Sequence, residues 1–248
     1  MHLLVDIGNS RVKWATAQAS ALAGPFGFAR PRTDDPAAAY ARAWADLCPT
    51  AITCCSVVGR RATDAFADWA RHAWGVSPAE VRAVDRQGPL VNGYRDPGTL
   101  GADRWANLFG ARALLGAVDT VVVDAGTAVT IDGLRADGRH TGGAILAGLA
   151  ATRSGLRSAA PALPAPADST ALPADSTEGA LGAGTLLGLA GAVDAVARRI
   201  AGALDAPRWV IAGGDAERIL PWLEPGWQHD PLLTLRGLLA AGEATCAP

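Results

Sequence analysis

Three short acidic elements carry the residues whose types and spacing suit chemistry: Asp6-Ile7-Gly8-Asn9-Ser10, Gly101-Ala102-Asp103-Arg104 and Asp124-Ala125-Gly126-Thr127. In the first and third an acid is followed two residues later by glycine, then by a small hydrogen-bonding residue. A glycine at a turn lets main-chain N–H groups approach phosphate oxygens, and the adjacent acid can hold a metal ion directly or through water. Two such turns facing each other could clamp a triphosphate. Either alone is also compatible with an ordinary tight turn; the repetition points to function. Lys13, the only lysine in the chain, adds a candidate phosphate cation, although a solvated lysine on an exposed strand fits its place equally well. The middle element places an acid and a guanidinium together at a helix start. A carboxylate there can accept a proton from an attacking hydroxyl, while the guanidinium neutralises charge on a transferring group or holds a substrate oxygen. The plain alternative is an Asp stabilising its own helix, with Arg104 in a surface pair.

The elements that must position these groups follow from pattern. Leu3 to Ile7 is an apolar strand run, Gly8-Asn9-Ser10 is turn chemistry, and Arg11 to Thr16 alternates as a second strand, which together make an opening hairpin. Helices are expected from Asp35-Pro36 through the Ala-rich stretch to Leu47, and over Arg60 to Trp74, where Ala65, Phe66, Trp69, Ala70 and Ala73 share a face. Ala51 to Val57 between them reads as a buried strand holding Cys54 and Cys55 as small core residues. Asp85 to Thr99 reads as a long loop of functional interest, and Gly101 to Gly116 as a helix. At Asp119 the opening pattern restarts: a strand to Asp124, a turn, and a strand from Val129 to Leu134. A strand over Arg139 to Ala147, a helix near Leu149 to Ser158, a Pro- and Ala-rich linker or mobile loop over Ala159 to Asp175, and a long helix from Ser176 toward Ala203 follow. Trp209 to Ala212 is a strand ending in Gly213-Gly214, and a helix begins at Ala216. Strand and helix alternate in two similar halves, 1–117 and 118–248, each an α/β domain.

Composition removes several classes. With 22 Lys and Arg against 24 Asp and Glu, the net charge of -2 supplies no broad basic surface for nucleic acid. The start Met1-His2-Leu3-Leu4-Val5-Asp6 lacks the charge pattern of a signal peptide, and the best apolar run, Leu186 to Val196, is interrupted by Asp194. Neither export nor a membrane span is expected. The cysteines at 48, 54, 55 and 246 match no zinc or disulfide framework, which fits a reducing cytoplasm. A Walker loop is excluded because Lys13 lies between Val12 and Trp14, and Gly182-Ala183-Gly184 reads as helix packing and not as a dinucleotide fingerprint.

The ordered set of motifs resembles the type III pantothenate kinase family. It comprises Asp6-x-Gly8-Asn9-Ser10, Asn92-x-Tyr94-x-x-Pro97-x-x-Leu100-Gly101-x-Asp103-Arg104, Asp124-x-Gly126-Thr127-Ala128-x-Thr130-x-Asp132, Gly142-Gly143 and the helix start at Thr177. The resemblance implies an α/β, duplicated two-domain acetate and sugar kinase/Hsp70/actin superfold of ribonuclease H-like halves, with nucleotide in the cleft. It implies ATP-dependent phosphorylation of pantothenate, the first step of coenzyme A biosynthesis, by a cytoplasmic homodimer using Mg2+ with ATP and a monovalent cation, K+ or NH4+. It assigns ATP binding to Asp6, Ile7, Gly8, Asn9, Ser10, Arg11, Val12, Lys13 and Thr127, with Asp6 on the magnesium side. Pantothenate contacts fall on Tyr94, Gly101, Ala102, Asp103, Arg104 and Thr177, the proton acceptor on Asp103, and the monovalent cation on Asp124. Trp209 to Gly214 resembles the superfamily's adenosine segment. Ser10 stands where the family usually has Thr, preserving a hydroxyl. The alternatives are a regulatory accessory protein on the same fold, and a kinase of another small acceptor.

Overall fold

The computed structural model describes residues 1–18, 21–32 and 36–246, with the side chains of 245 and 246 excepted. Asp35, read above as part of a helix start, and the Cys246 thiol lie outside this set. The described residues form two units. The first holds β1 (His2–Ile7), β2 (Arg11–Gln18), β3 (Ala21–Ala29), α1 (Ala37–Ala43), β4 (Ala51–Ser56), α2 (Arg60–Trp74), β5 (Ala79–Glu80), β6 (Arg86–Gln87), β7 (Leu90–Val91) and α3 (Ala102–Leu115). The second is built on β8 (Thr120–Ala125), β9 (Ala128–Leu134), β10 (His140–Ala147), α4 (Leu149–Ala159), α5 (Thr177–Ala201), β11 (Arg208–Ala212), α6 (Ala216–Ile219) and β12 (Trp227–His229). The last helix, α7 (Leu233–Cys246), lies with the first unit, as do residues 137–140. The sequence reading places residues 118–248 in the second half.

The two five-stranded sheets have the same design. Their orders are β3-β2-β1-β4-β5 and β10-β9-β8-β11-β12. In each, the first strand pairs antiparallel with the second and parallel with the fourth. This is the doubled α/β superfold expected from the repeated hairpin. In the first sheet the odd-numbered residues Leu3, Val5 and Ile7 join Ile52 and Cys54 against Trp44 and Phe66. The strand's period of two turns Leu4, Asp6 and Cys55 to the opposite face, which α3 and α7 cover.

β3 is absent from the sequence reading because Gly24, Pro25 and Gly27 break any alternation. It is an edge strand, where a proline and exposed positions are tolerated. α7 is likewise unread, yet it packs on α3 backbone to backbone. A Cβ on Gly237 would lie 1.7 Å from the Ala106 carbonyl oxygen, and one on Gly110 would lie 2.2 Å from that of Leu233. Between these contacts Thr234 Oγ1 donates to Asn107 Oδ1 at 2.7 Å in the buried interface.

In the second unit β8, β9 and β11 pack against α5 through Val121, Val123, Ile131, Ile211, Leu189 and Val193. Among the described residues α5 is the one helix long and apolar enough to cross a membrane, with a mean hydropathy of 1.6 over its best 18 residues, 44% of which are buried. The buried share is the face packed against the sheet. The 159–175 stretch, read as a linker or mobile loop, packs on this helix. Ala167 donates its N–H to the Glu178 carbonyl at 2.9 Å, and a Cβ on Gly182 would sit 2.1 Å from the Ala167 carbonyl oxygen. Gly182 therefore serves close packing, as expected.

Candidate active site

β1 is an apolar run that ends where Gly8 turns the chain, so Asp6 stands one residue short of the strand end. Gly8 N–H donates to the Arg11 carbonyl at 3.0 Å, closing the hairpin. Arg30, just past β3, ties the tip down: its N–H meets the Ser10 carbonyl at 2.9 Å and its Nε the Asn9 carbonyl at 3.0 Å. Asn9, Ser10 and Arg11 are exposed at this tip, where a phosphate could approach, while Ile7 and Val12 are buried beneath it. Lys13 lies opposite Asp6 in the antiparallel register, and Cys55 beside it in the parallel one. Opposed residues share a face, so Asp6, Lys13 and Cys55 point the same way. Asp6 is buried, and the Cys55 thiol donates to its Oδ1 at 3.6 Å.

The second element of this unit is assembled by Asn92, a motif residue to which the sequence reading gives no role. Its buried side chain accepts from Tyr94 N–H at 3.0 Å and donates to the Pro97 carbonyl at 3.2 Å, which shapes the loop before α3. Gly101 is the N-cap of α3, and a Cβ there would fall 2.6 Å from Asp103 Oδ1. The glycine leaves room for that carboxylate, which also accepts from Arg104 N–H at 2.7 Å. Ala102 begins the helix. Asp103 thus sits on the first turn, where the helix dipole favours negative charge.

Arg104 is not in a surface pair. It is 3% exposed, donates Nη1 to the Tyr94 hydroxyl at 2.7 Å, and holds its guanidinium carbon 5.3 Å from the Tyr94 ring centre. The other ring partner is His140, buried at the start of β10 and stacked at 5.6 Å. His140 escapes sequence reasoning because a single histidine 46 residues beyond Tyr94 gives no local signal of the contact.

The electrostatics link the two acids of this unit. Burial first, then the Asp6 and Asp103 carboxylates, hold the Cys55 thiol well above the ordinary thiol range, so both acids act on one buried group. The neighbouring Cys54, on the other face, is pushed up to about 12 by burial, with Glu80 raising it further and Arg82 opposing. Neither thiol is a nucleophile in this state.

In the second unit β8 ends in Asp124 and Ala125. Gly126 N–H donates to the Ala128 carbonyl at 3.1 Å, and the Thr127 carbonyl accepts from Gly148 N–H at 3.1 Å. Gly148 caps α4 so close to this turn that a Cβ would lie 2.1 Å from the Gly126 carbonyl oxygen. The end of β11 closes from another side: Gly213 has φ +99° and no room for a Cβ beside Ala125, whose carbonyl accepts from Asp215 N–H at 2.9 Å. Asp124 is half-buried and Thr127 exposed. Thr177 is exposed as the first residue of α5, with Ser176 Oγ capping the helix through Gly179 N–H at 3.2 Å.

The donor set constrains any metal. Among the described residues no group of three or more His, Cys, Asp or Glu could hold an ion by itself. The first hairpin offers one carboxylate, Asp6, and the second offers Asp124 at its turn and the buried Asp132 further along β9. That fits a divalent ion which takes one or two carboxylates and completes its shell with phosphate oxygens and water.

These features define an α/β protein of the acetate and sugar kinase/Hsp70/actin class with an acid-x-Gly hairpin in each half. Solved structures agree on the fold. One from Campylobacter jejuni, provisionally described as a conserved Baf family transcriptional activator, superposes with a TM-score of 0.62 at 21% identity, covering 98% of both chains. An inorganic polyphosphate/ATP-glucomannokinase from Arthrobacter sp. strain KM gives 0.51 at 15% identity over 98% of this chain and 97% of that one. The family model described as type III pantothenate kinase matches residues 2–199. A type III pantothenate kinase from Halorhodospira halophila is 39% identical, over 96% of each chain. The chain belongs to the type III pantothenate kinase family.

Proposed function

We propose that the protein transfers the γ-phosphoryl group of ATP to the primary hydroxyl of pantothenate, forming 4'-phosphopantothenate at the first step of coenzyme A biosynthesis. One observation carries the reading beyond family membership. Asp103 stands on the positive end of α3 with the buried Arg104 beside it, locked to Tyr94.

Asp103 orients the substrate hydroxyl and takes its proton as the new O–P bond forms and the bond from the γ-phosphorus to the bridging oxygen breaks, releasing ADP. A loose phosphoryl transition state asks mainly for orientation and charge stabilisation, so a carboxylate of ordinary basicity suffices. Arg104, Tyr94, Gly101, Ala102 and Thr177 bind pantothenate. The hairpin from Asp6 to Lys13 and, in the second unit, Thr127 bind ATP, and Trp209 to Gly214 is the adenosine segment. Magnesium, held on the Asp6 side, would screen phosphate charge; a monovalent cation, K+ or NH4+, is assigned to Asp124. The working form is a cytoplasmic homodimer.

The test is ATP consumption by the purified protein with pantothenate, in buffers whose only monovalent cation is potassium or sodium. Turnover that needs both pantothenate and potassium is expected, with Asp103→Ala losing about a hundredfold or more while nucleotide affinity is kept. Turnover with other acceptors only would discard the substrate, and near wild-type rates in Asp103→Ala would discard the proton acceptor.

A further inference from the structure

Cys55 has no part in the chemistry above, yet its surroundings are those of a working residue. It is 0% exposed, lies beside Asp6 in the β1–β4 register, and places Sγ 3.6 Å from Asp6 Oδ1. Strand alternation sends its neighbour Cys54 into the aromatic core with Trp44 and Phe66 and leaves Cys55 on the face covered by α3 and α7. There it also feels the Asp103 charge. A side chain buried against a carboxylate must bring no negative charge, and it must donate if it is to fix that carboxylate. A protonated thiol meets both conditions, since S–H is a weak donor of small volume.

We infer that Cys55 is a positioning residue for Asp6: its S–H holds Oδ1 and sets the rotation of the carboxylate. The inference rests on the assignment of Asp6 to the magnesium side.

The experiment compares Cys55→Ala, Cys55→Ser, Cys54→Ala and Asp6→Asn with the unaltered protein. Three quantities are read: the Mg2+ dependence of turnover, the calorimetric affinity for Mg·ADP without pantothenate, and the melting temperature. Cys55→Ala is expected to raise half-saturating Mg2+ and weaken Mg·ADP binding by about three- to tenfold, the scale of one modest hydrogen bond, at unchanged pantothenate KM. Cys55→Ser, which restores a donor, should recover most of the loss. Cys54→Ala, which removes an equally buried thiol from the other face, should move the melting temperature but not the Mg2+ titration. Equal effects of Cys54→Ala and Cys55→Ala, wild-type Mg·ADP binding by Cys55→Ala, or a serine variant no better than alanine would overturn the inference. If Asp6→Asn itself binds Mg·ADP like the unaltered protein, the assignment of Asp6 fails and the inference falls with it.

Discussion

Removing one oxygen atom tests the Tyr94–Arg104 pair. Tyr94→Phe keeps the ring, and so keeps its stacking on His140 and its place near the guanidinium. What it deletes is the acceptor at 2.7 Å from Nη1 of an arginine that is 3% exposed. A hydrogen bond to a charged group contributes about 1.5–3 kcal/mol. The lower part of that range applies, because the ring stays beside the guanidinium, 5.3 Å from its carbon. At about 1.4 kcal/mol per tenfold, a loss of about 1.5–2 kcal/mol is about a 10- to 30-fold fall in kcat/KM for pantothenate. Arg104 is assigned to substrate binding and not to the reacting atoms, so the fall should appear as a raised pantothenate KM, with kcat and the ATP KM nearly constant. A coupled ADP-release assay over both substrates measures this. The same change made in an Arg104→Lys background separates the tyrosine's two roles. If Tyr94 acts through Arg104, it should add little there, since contacting residues are non-additive. A kcat/KM within twofold of the unaltered protein, or an undiminished effect in the lysine background, would refute the reasoning.

Two further outcomes concern stability. Gly237→Ala places a Cβ 1.7 Å from the Ala106 carbonyl oxygen on α3, where no side chain can yield. Overpacking costs of about 1–3 kcal/mol are usual, so a value near the top, a fall in melting temperature of about 6–12 °C, is expected by thermal denaturation; an unchanged midpoint would contradict the α3–α7 contact. His2, bonded to Thr53 at 2.9 Å, has its pKa lowered from 6.5, chiefly by burial, with Glu243 opposing and the N-terminal amine adding to the fall. Because the folded pKa lies below the unfolded one, its contribution is fully present above about pH 6.5 and is lost as pH falls toward the folded value. His2→Gln should therefore lose less stability than the unaltered protein between about pH 7.5 and about pH 5.5 in urea titrations; identical losses would sink the assignment.

Local pattern carries far in this chain where the physics is local. The helix Arg60–Trp74 is legible to the residue because its apolar spacing holds over four turns and Gly75, at φ +69°, ends it. The two acid-x-Gly hairpins and the start of α3 are legible because a turn needs its glycine and its small polar residue wherever it occurs. Their repetition also foretold two sheets of one design.

Other features depend on partners distant in the chain. An edge strand such as β3 needs no alternation, because β2 supplies its hydrogen bonds and solvent takes its other side. The place of α7 is decided by two glycines, Gly110 and Gly237, that let its backbone meet that of α3. The 159–175 stretch has a linker's composition and is nevertheless seated on α5 at Gly182. The site shows the same division. Asp6, Asp103 and Asp124 stand out in the sequence as acids at turns and at a helix start. That Arg104 is buried under Tyr94, that His140 backs the ring, and that Cys55 touches Asp6 follow from strand register and packing, which join residues tens of positions apart that share no local pattern.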